Sequence, residues 1–61
     1  MKLADIEVTL KHETPKAYLL ESHTTGEQAW VPKSIVELDL KPDNTAIATL
    51  PENIATEKGL I

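Results

Sequence analysis

Gln28-Ala-Trp-Val-Pro-Lys-Ser-Ile-Val-Glu-Leu-Asp-Leu40 is the stretch on which the fold turns. Its first part, ending at Val31, is apolar enough for a buried strand. Pro32-Lys33-Ser34 interrupts it. Ile35 to Leu40 then resumes, with Val36, Leu38 and Leu40 alternating against Glu37, Asp39 and Lys41. Such alternation marks a half-buried strand, because successive side chains point to opposite faces. Proline has no N–H to give to a ladder, so the chain must turn or leave the sheet between the two strands.

The pattern extends upstream. Asp5 to Lys11 sets Ile6, Val8 and Leu10 against Asp5, Glu7, Thr9 and Lys11. His12 to Lys16 reads as a turn around Pro15, and Lys16 to Ser22 as a second strand. Thr24-Thr25-Gly26 turns the chain into a third strand, Glu27 to Val31, with Gly26 free to take a positive φ. If Glu13, Thr14 and Pro15 form the first loop, Leu10 faces Tyr18, Val8 faces Leu20 and Ile6 faces Ser22. The next hairpin then places Trp30 opposite Leu20. Tyr18, Leu20 and Trp30 would share the core face, leaving Ala17, Leu19, Ala29 and Val31 as a second apolar face. That face needs a cover: the C-terminal segment, curling of the sheet, or another subunit.

Downstream, Lys41-Pro42-Asp43-Asn44 is a turn signal and Thr45 to Leu50 a fifth strand. The end reads as a short helix. Thr49 and Glu52 have capping-box spacing, and Pro51 suits a first turn. Gly59 fits the left-handed residue after the last turn, with Leu60 folding back onto Ile54 or Ala55. The expectation is one mainly β domain over residues 1–61: a small five-stranded curled sheet or SH3-like barrel with a short C-terminal helix.

Composition narrows the function classes. A chain of 61 residues has room for one domain, and a domain near this size buries only about 60% of its unfolded surface. Domains so small often need a staple. The chain has no cysteine, and its two histidines, His12 and His23, are too few for an ordinary structural zinc site. Self-association is the staple left by elimination, with a dimer favoured. The face formed by Ala17, Leu19, Ala29 and Val31 is the candidate surface for it. No apolar run spans a membrane and no leader pattern is present, so the expected setting is the cytoplasm. The net charge is −4, arginine is absent and the six lysines are scattered, which disfavours a nucleic-acid footprint.

Catalytic chemistry finds no foothold in the sequence. Ser22 and His23 point to opposite faces of a strand, and Glu37 and Asp39 read as a solvated edge. Two glycines, Gly26 and Gly59, cannot form a phosphate loop. No catalytic, cofactor or metal residues are assigned. Trp30 has two readings: a core anchor beside Tyr18 and Leu20, or a partly exposed ring that stacks on a partner. With Pro32, Lys33 and Ser34 it forms the candidate partner-binding segment.

Three segments, Thr14-Pro15-Lys16-Ala17-Tyr18-Leu19-Leu20, Trp30-Val31-Pro32-Lys33-Ser34 and Leu50-Pro51-Glu52 through Leu60-Ile61, carry a resemblance. In order and spacing they resemble small uncharacterised proteins of bacteriophages and mobile elements. In those proteins an aromatic often follows Pro-Glu; here the position is Asn53. The resemblance implies an accessory role in a phage or mobile-element setting, in the host cytoplasm, and transfers no activity. The expected function is a non-catalytic, self-associating interaction module that binds or inhibits a host protein. The alternative is a nucleic-acid accessory factor on an OB- or SH3-like barrel.

Overall fold

The computed structural model describes residues 2–61. Five strands form: β1 Leu3–Glu13, β2 Ala17–Ser22, β3 Gln28–Pro32, β4 Glu37–Leu40 and β5 Thr45–Pro51. A 3-10 turn, Lys33–Ile35, takes up the break after Pro32, and a helix, α1 Glu52–Glu57, closes the order. All pairings are antiparallel, in the order β3-β2-β1-β5-β4. The sheet stays open, with β3 and β4 as its edges, so the curled sheet and not the closed barrel is the architecture.

The expected alternation makes one face of the sheet. Ile6 and Val8 of β1, Leu20 of β2, Val31 of β3 and Ala46, Ala48 and Leu50 of β5 are buried there together. A fully buried Leu or Val contributes roughly 1.5–3 kcal/mol, so these side chains supply most of the drive to fold. Ala55 of α1 and Leu60 cover this inner face and are fully buried in the same cluster. The C-terminal segment is therefore the cover.

Its attachment follows the expected cap. Gly59 sits at φ 75°. Leu60 N–H donates to the Ala55 carbonyl at 2.8 Å and Gly59 N–H to that of Thr56 at 3.1 Å, the paired bonds of a Schellman motif. The N-terminal expectation fails. Pro51 occupies the cap position and no side chain caps the helix. Thr49 lies on β5 with its hydroxyl turned to the Asp5 carboxylate, so it is not available to the helix.

Both hairpin registers differ from expectation, with different consequences. In the first, Val8 faces Ser22 and Leu10 faces Leu20, a shift of two residues from the expected pairs. The turn is Thr14 to Lys16, held by Thr14, whose hydroxyl accepts the Ala17 N–H at 3.1 Å. A bulge between Leu10 and His12 absorbs the extra residue. An even shift keeps the side chains up to Leu10 on their faces, and the bulge turns His12 to the outer one.

In the second hairpin the shift is one residue. Ser22 N–H donates to the Glu27 carbonyl at 2.9 Å, so the loop is His23 to Gly26, one residue longer than Thr24-Thr25-Gly26. Leu20 then faces Ala29, and Leu19 faces Trp30. An odd shift turns the whole strand over. Val31 enters the core at 0% exposure, and Trp30 goes outside at 45%. The expected second face is thereby divided: Ala17 and Leu19 lie on the outer face with Trp30, while Ala29 and Val31 lie on the inner one.

The β4–β5 turn matches its signal. Asn44 takes φ 69°, and Asp43 accepts bonds from the Thr45 hydroxyl at 2.6 Å and the Thr45 N–H at 3.2 Å. These bonds to the ionised form hold the Asp43 carboxyl below its ordinary value of 3.8. A lowered folded value means the contribution is present above the unfolded pKa and is lost as pH falls through the folded one. Asp43→Asn should therefore remove stability at neutral pH and flatten the acid limb of the stability–pH curve, measured by urea unfolding from pH 7 downward.

Ser22 is the only buried polar residue among the described residues. Its hydroxyl donates to the Leu60 carbonyl at 2.6 Å and accepts the N–H groups of Thr24 and Thr25. Ser22→Ala leaves these groups unpaired and should cost about 1–3 kcal/mol in urea unfolding. Gly59→Ala, which forces a Cβ into left-handed backbone, should cost about 1–2 kcal/mol in the same assay.

Candidate interaction surface around Trp30

The odd shift of β3 builds the surface. Trp30 stands on the outer face beside Leu19, its cross-strand neighbour, and the exposed Pro32 opposite Ala17. The bulge in β1 sets His12 opposite Leu19, on the same face. The His12 ring meets Trp30 edge to face, with centroids 5.9 Å apart and planes at 89°. Edge-to-face contact orients the indole without covering it. The result is an aromatic and aliphatic corner at the β3 edge, open to water.

The other half of this face is acidic. Register places Asp5, Thr49 and Glu37 in one row across β1, β5 and β4, and Glu7, Ile47 and Asp39 in the next. The carboxylates in each row stand two strand spacings apart, about 9.6 Å. Asp5 accepts the Thr49 hydroxyl at 2.5 Å. The outer face thus divides into an uncharged corner around Trp30 and a carboxylate field towards β4.

Of the four candidate partner-binding residues, two reach this corner and two do not. Trp30 and Pro32 share the outer face. Lys33 folds back instead: its ammonium lies 4.9 Å from the Tyr18 ring centroid and 2.5 Å from Glu13 Oε2. Cation–π attraction and the ion pair commit it to the chain's own hairpin. Ser34 is exposed in the 3-10 turn and borders a shallow groove of about 570 Å³ with Leu3, Ile35, Val36 and Pro51. A second groove, about 420 Å³, runs between Pro32 and Ile35 on one side and Ile54 and Lys58 on the other. Trp30 lines neither groove.

The fold also brings together three residues that sequence reasoning kept apart. Thr9 Oγ1 lies 2.7 Å from His23 Nε2, and His23 Nδ1 lies 3.9 Å from Glu7 Oε2. Hydroxyl, imidazole and carboxylate is the order of groups used in nucleophilic catalysis. Here the carboxylate is beyond hydrogen-bond distance, and all three side chains lie on an open strand face outside both grooves. The group instead ties the β2–β3 loop to β1, supported by the His23 N–H donating to the Glu7 carbonyl at 3.0 Å. Only the β1–β2 register, which carries the loop after Ser22 past Glu7 and Thr9, makes it visible.

No family model matches the chain, and neither the curated proteins nor the solved structures contain a match to it. No helix among the described residues is long and apolar enough to cross a membrane. The described residues contain no cluster of three or more His, Cys, Asp or Glu fit to hold a metal ion.

A Trp on the outside contributes little to the core. Trp30→Ala should change stability by less than about 1 kcal/mol, whereas Leu20→Ala should cost about 2–5 kcal/mol. Urea unfolding checks both. The emission of the single Trp should lie towards the red and be quenched readily by acrylamide in the folded protein.

Proposed function

We propose that the chain is a non-catalytic interaction module that engages protein partners through the Trp30 corner of its outer face. One observation carries this reading: the only tryptophan is 45% exposed, oriented by His12, and surrounded by Leu19, Ala17 and Pro32. An exposed aromatic beside aliphatic neighbours is the composition of a binding hot spot, where Trp is over-represented. The acidic rows of Asp5, Glu7, Glu37 and Asp39 on the same face would form a charged rim. Such a rim steers association with a basic partner and repels nucleic acid.

The resemblance of the Thr14–Leu20, Trp30–Ser34 and Leu50–Ile61 segments to phage and mobile-element proteins supports an accessory role in that setting, acting in the host cytoplasm on a host protein. The nucleic-acid alternative draws on the same exposed ring, since bases stack on aromatics. The carboxylate field on the other half of the same face counts against it.

A photoreactive residue placed at position 30, with a control at Asn53, tests the reading. Position 30 should give protein adducts in the cytoplasm of a host cell, and position 53 should not. Adducts at 30 that carry nucleic acid would transfer the reading to the alternative. No protein adduct at 30 above the level at 53 would sink it.

A further inference from the structure

The two edges of the sheet are guarded differently. β4 holds two carboxylates, Glu37 and Asp39, in four residues, with Pro42 just beyond. Charges and prolines on an edge deter pairing with another chain. β3 has no charged residue between Gln28 and Pro32, and only Pro32 as a guard. It is the edge left open to another strand.

Hydrogen-bond parity shows what this edge offers. Ser22 N–H donates to the Glu27 carbonyl, and Lys33 N–H to the Lys16 carbonyl. In an antiparallel ladder alternate residues turn to the same neighbour. Glu27, Ala29, Val31 and Lys33 therefore direct their backbone groups at β2. Gln28, Trp30 and Pro32 direct theirs outward. Among the described residues these outward groups have no backbone partner beyond the sheet.

We infer that β3 is a dimerisation edge: two copies pair β3 with β3, antiparallel, about a two-fold axis at Trp30. The inference rests on the reading of the Trp30 corner as an interface and names its first partner, a second copy of this chain. Trp30 is the midpoint of Gln28–Pro32, so an axis there overlaps the whole strand. Trp30 N–H and C=O then bond the partner's Trp30, and each Gln28 N–H reaches the carbonyl of the partner's Pro32. Pro32 lacks only a donor, and this register asks it for none. Glu27 then stands opposite the partner's Lys33, so the register sets no like charges together at the strand ends. A two-fold axis normal to the sheet keeps each residue on its own face, so the two indoles become cross-strand neighbours on the outer face. Two five-stranded sheets join into one, with an aromatic ridge at its centre and an acidic field on each wing.

The absence of cysteine makes the register readable. In a self-paired strand only the axial residue stands opposite itself, with Cα atoms about 5.5 Å apart, within disulfide reach. The copies of residue 28 lie roughly 14 Å apart along the strands, beyond that reach. Trp30→Cys should form a covalent dimer on mild oxidation, and Gln28→Cys and Pro32→Cys should not. Sedimentation equilibrium of the intact chain at micromolar concentration should show a dimer. Trp30→Lys, which sets like charges together at the axis, should weaken it at least about ten-fold. Gln28→Pro removes only an outward N–H, so the β2–β3 ladder and the unfolding midpoint should hold while the dimer weakens. Three outcomes overturn the inference: a strict monomer, open-ended polymers, or a dimer indifferent to both variants. A monomer that still gives foreign-protein adducts at position 30 would refute the dimer and keep the proposed function; a β3-paired dimer with no foreign adducts would do the reverse for the host partner.

Discussion

The hydroxyl of Ser22 joins the two parts on which the rest of the structure depends, the β2–β3 loop and the C-terminal cover. It gathers the N–H groups of Thr24 and Thr25 and so shapes the loop that ends at Glu27. Loop length sets register, and register sets which side of β3 faces the core. The same hydroxyl donates to the Leu60 carbonyl, fastening the C-terminal cover over the inner face. Thr25 adds a second fastening through the Gly59 carbonyl at 2.7 Å. One loop therefore decides what β3 buries and anchors what covers it.

The two faces do different work. The inner face is apolar, covered by Ala55 and Leu60, and supplies stability. Among the described residues, no helix packs on the outer face. Its β4 side carries, beside Ile47, carboxylates and the Thr49 hydroxyl, which water solvates well. Its β3 side holds an indole that water solvates poorly, at an edge with unpaired backbone groups. A small domain with little core to spare gains from burying such a corner against another surface. The buried core and the exposed Trp30 corner thus lie on opposite sides of one sheet.

The bulge in β1 couples these halves. By absorbing one residue between Leu10 and His12, it keeps Leu10 on the core side and turns His12 to the outer side, where its ring reaches Trp30. Without it His12 would take the inward parity of Ile6, Val8 and Leu10. Bulges re-aim side chains in this way where regular pleating cannot.

Local pattern determined a large part of the structure. Alternation in Asp5–Lys11 and Ile35–Leu40, the Pro32 break, the Pro42–Asn44 turn and the Gly59 cap were all legible, because each depends on residues close in sequence. Burial of Ile6, Val8 and Leu20 was legible for the same reason. The site was not. Trp30 stands out by type, but its face depends on a loop one residue longer than the Thr24-Thr25-Gly26 signal, a loop whose Ser22 hydroxyl also meets the Leu60 carbonyl, 38 residues away. His12 against Trp30, and Thr9 with His23, likewise needed β1 and the later strands in register. A strand has only two faces, so one residue of loop inverts the answer, and only the folded loop, closed by Ser22 N–H on the Glu27 carbonyl, shows where that residue goes.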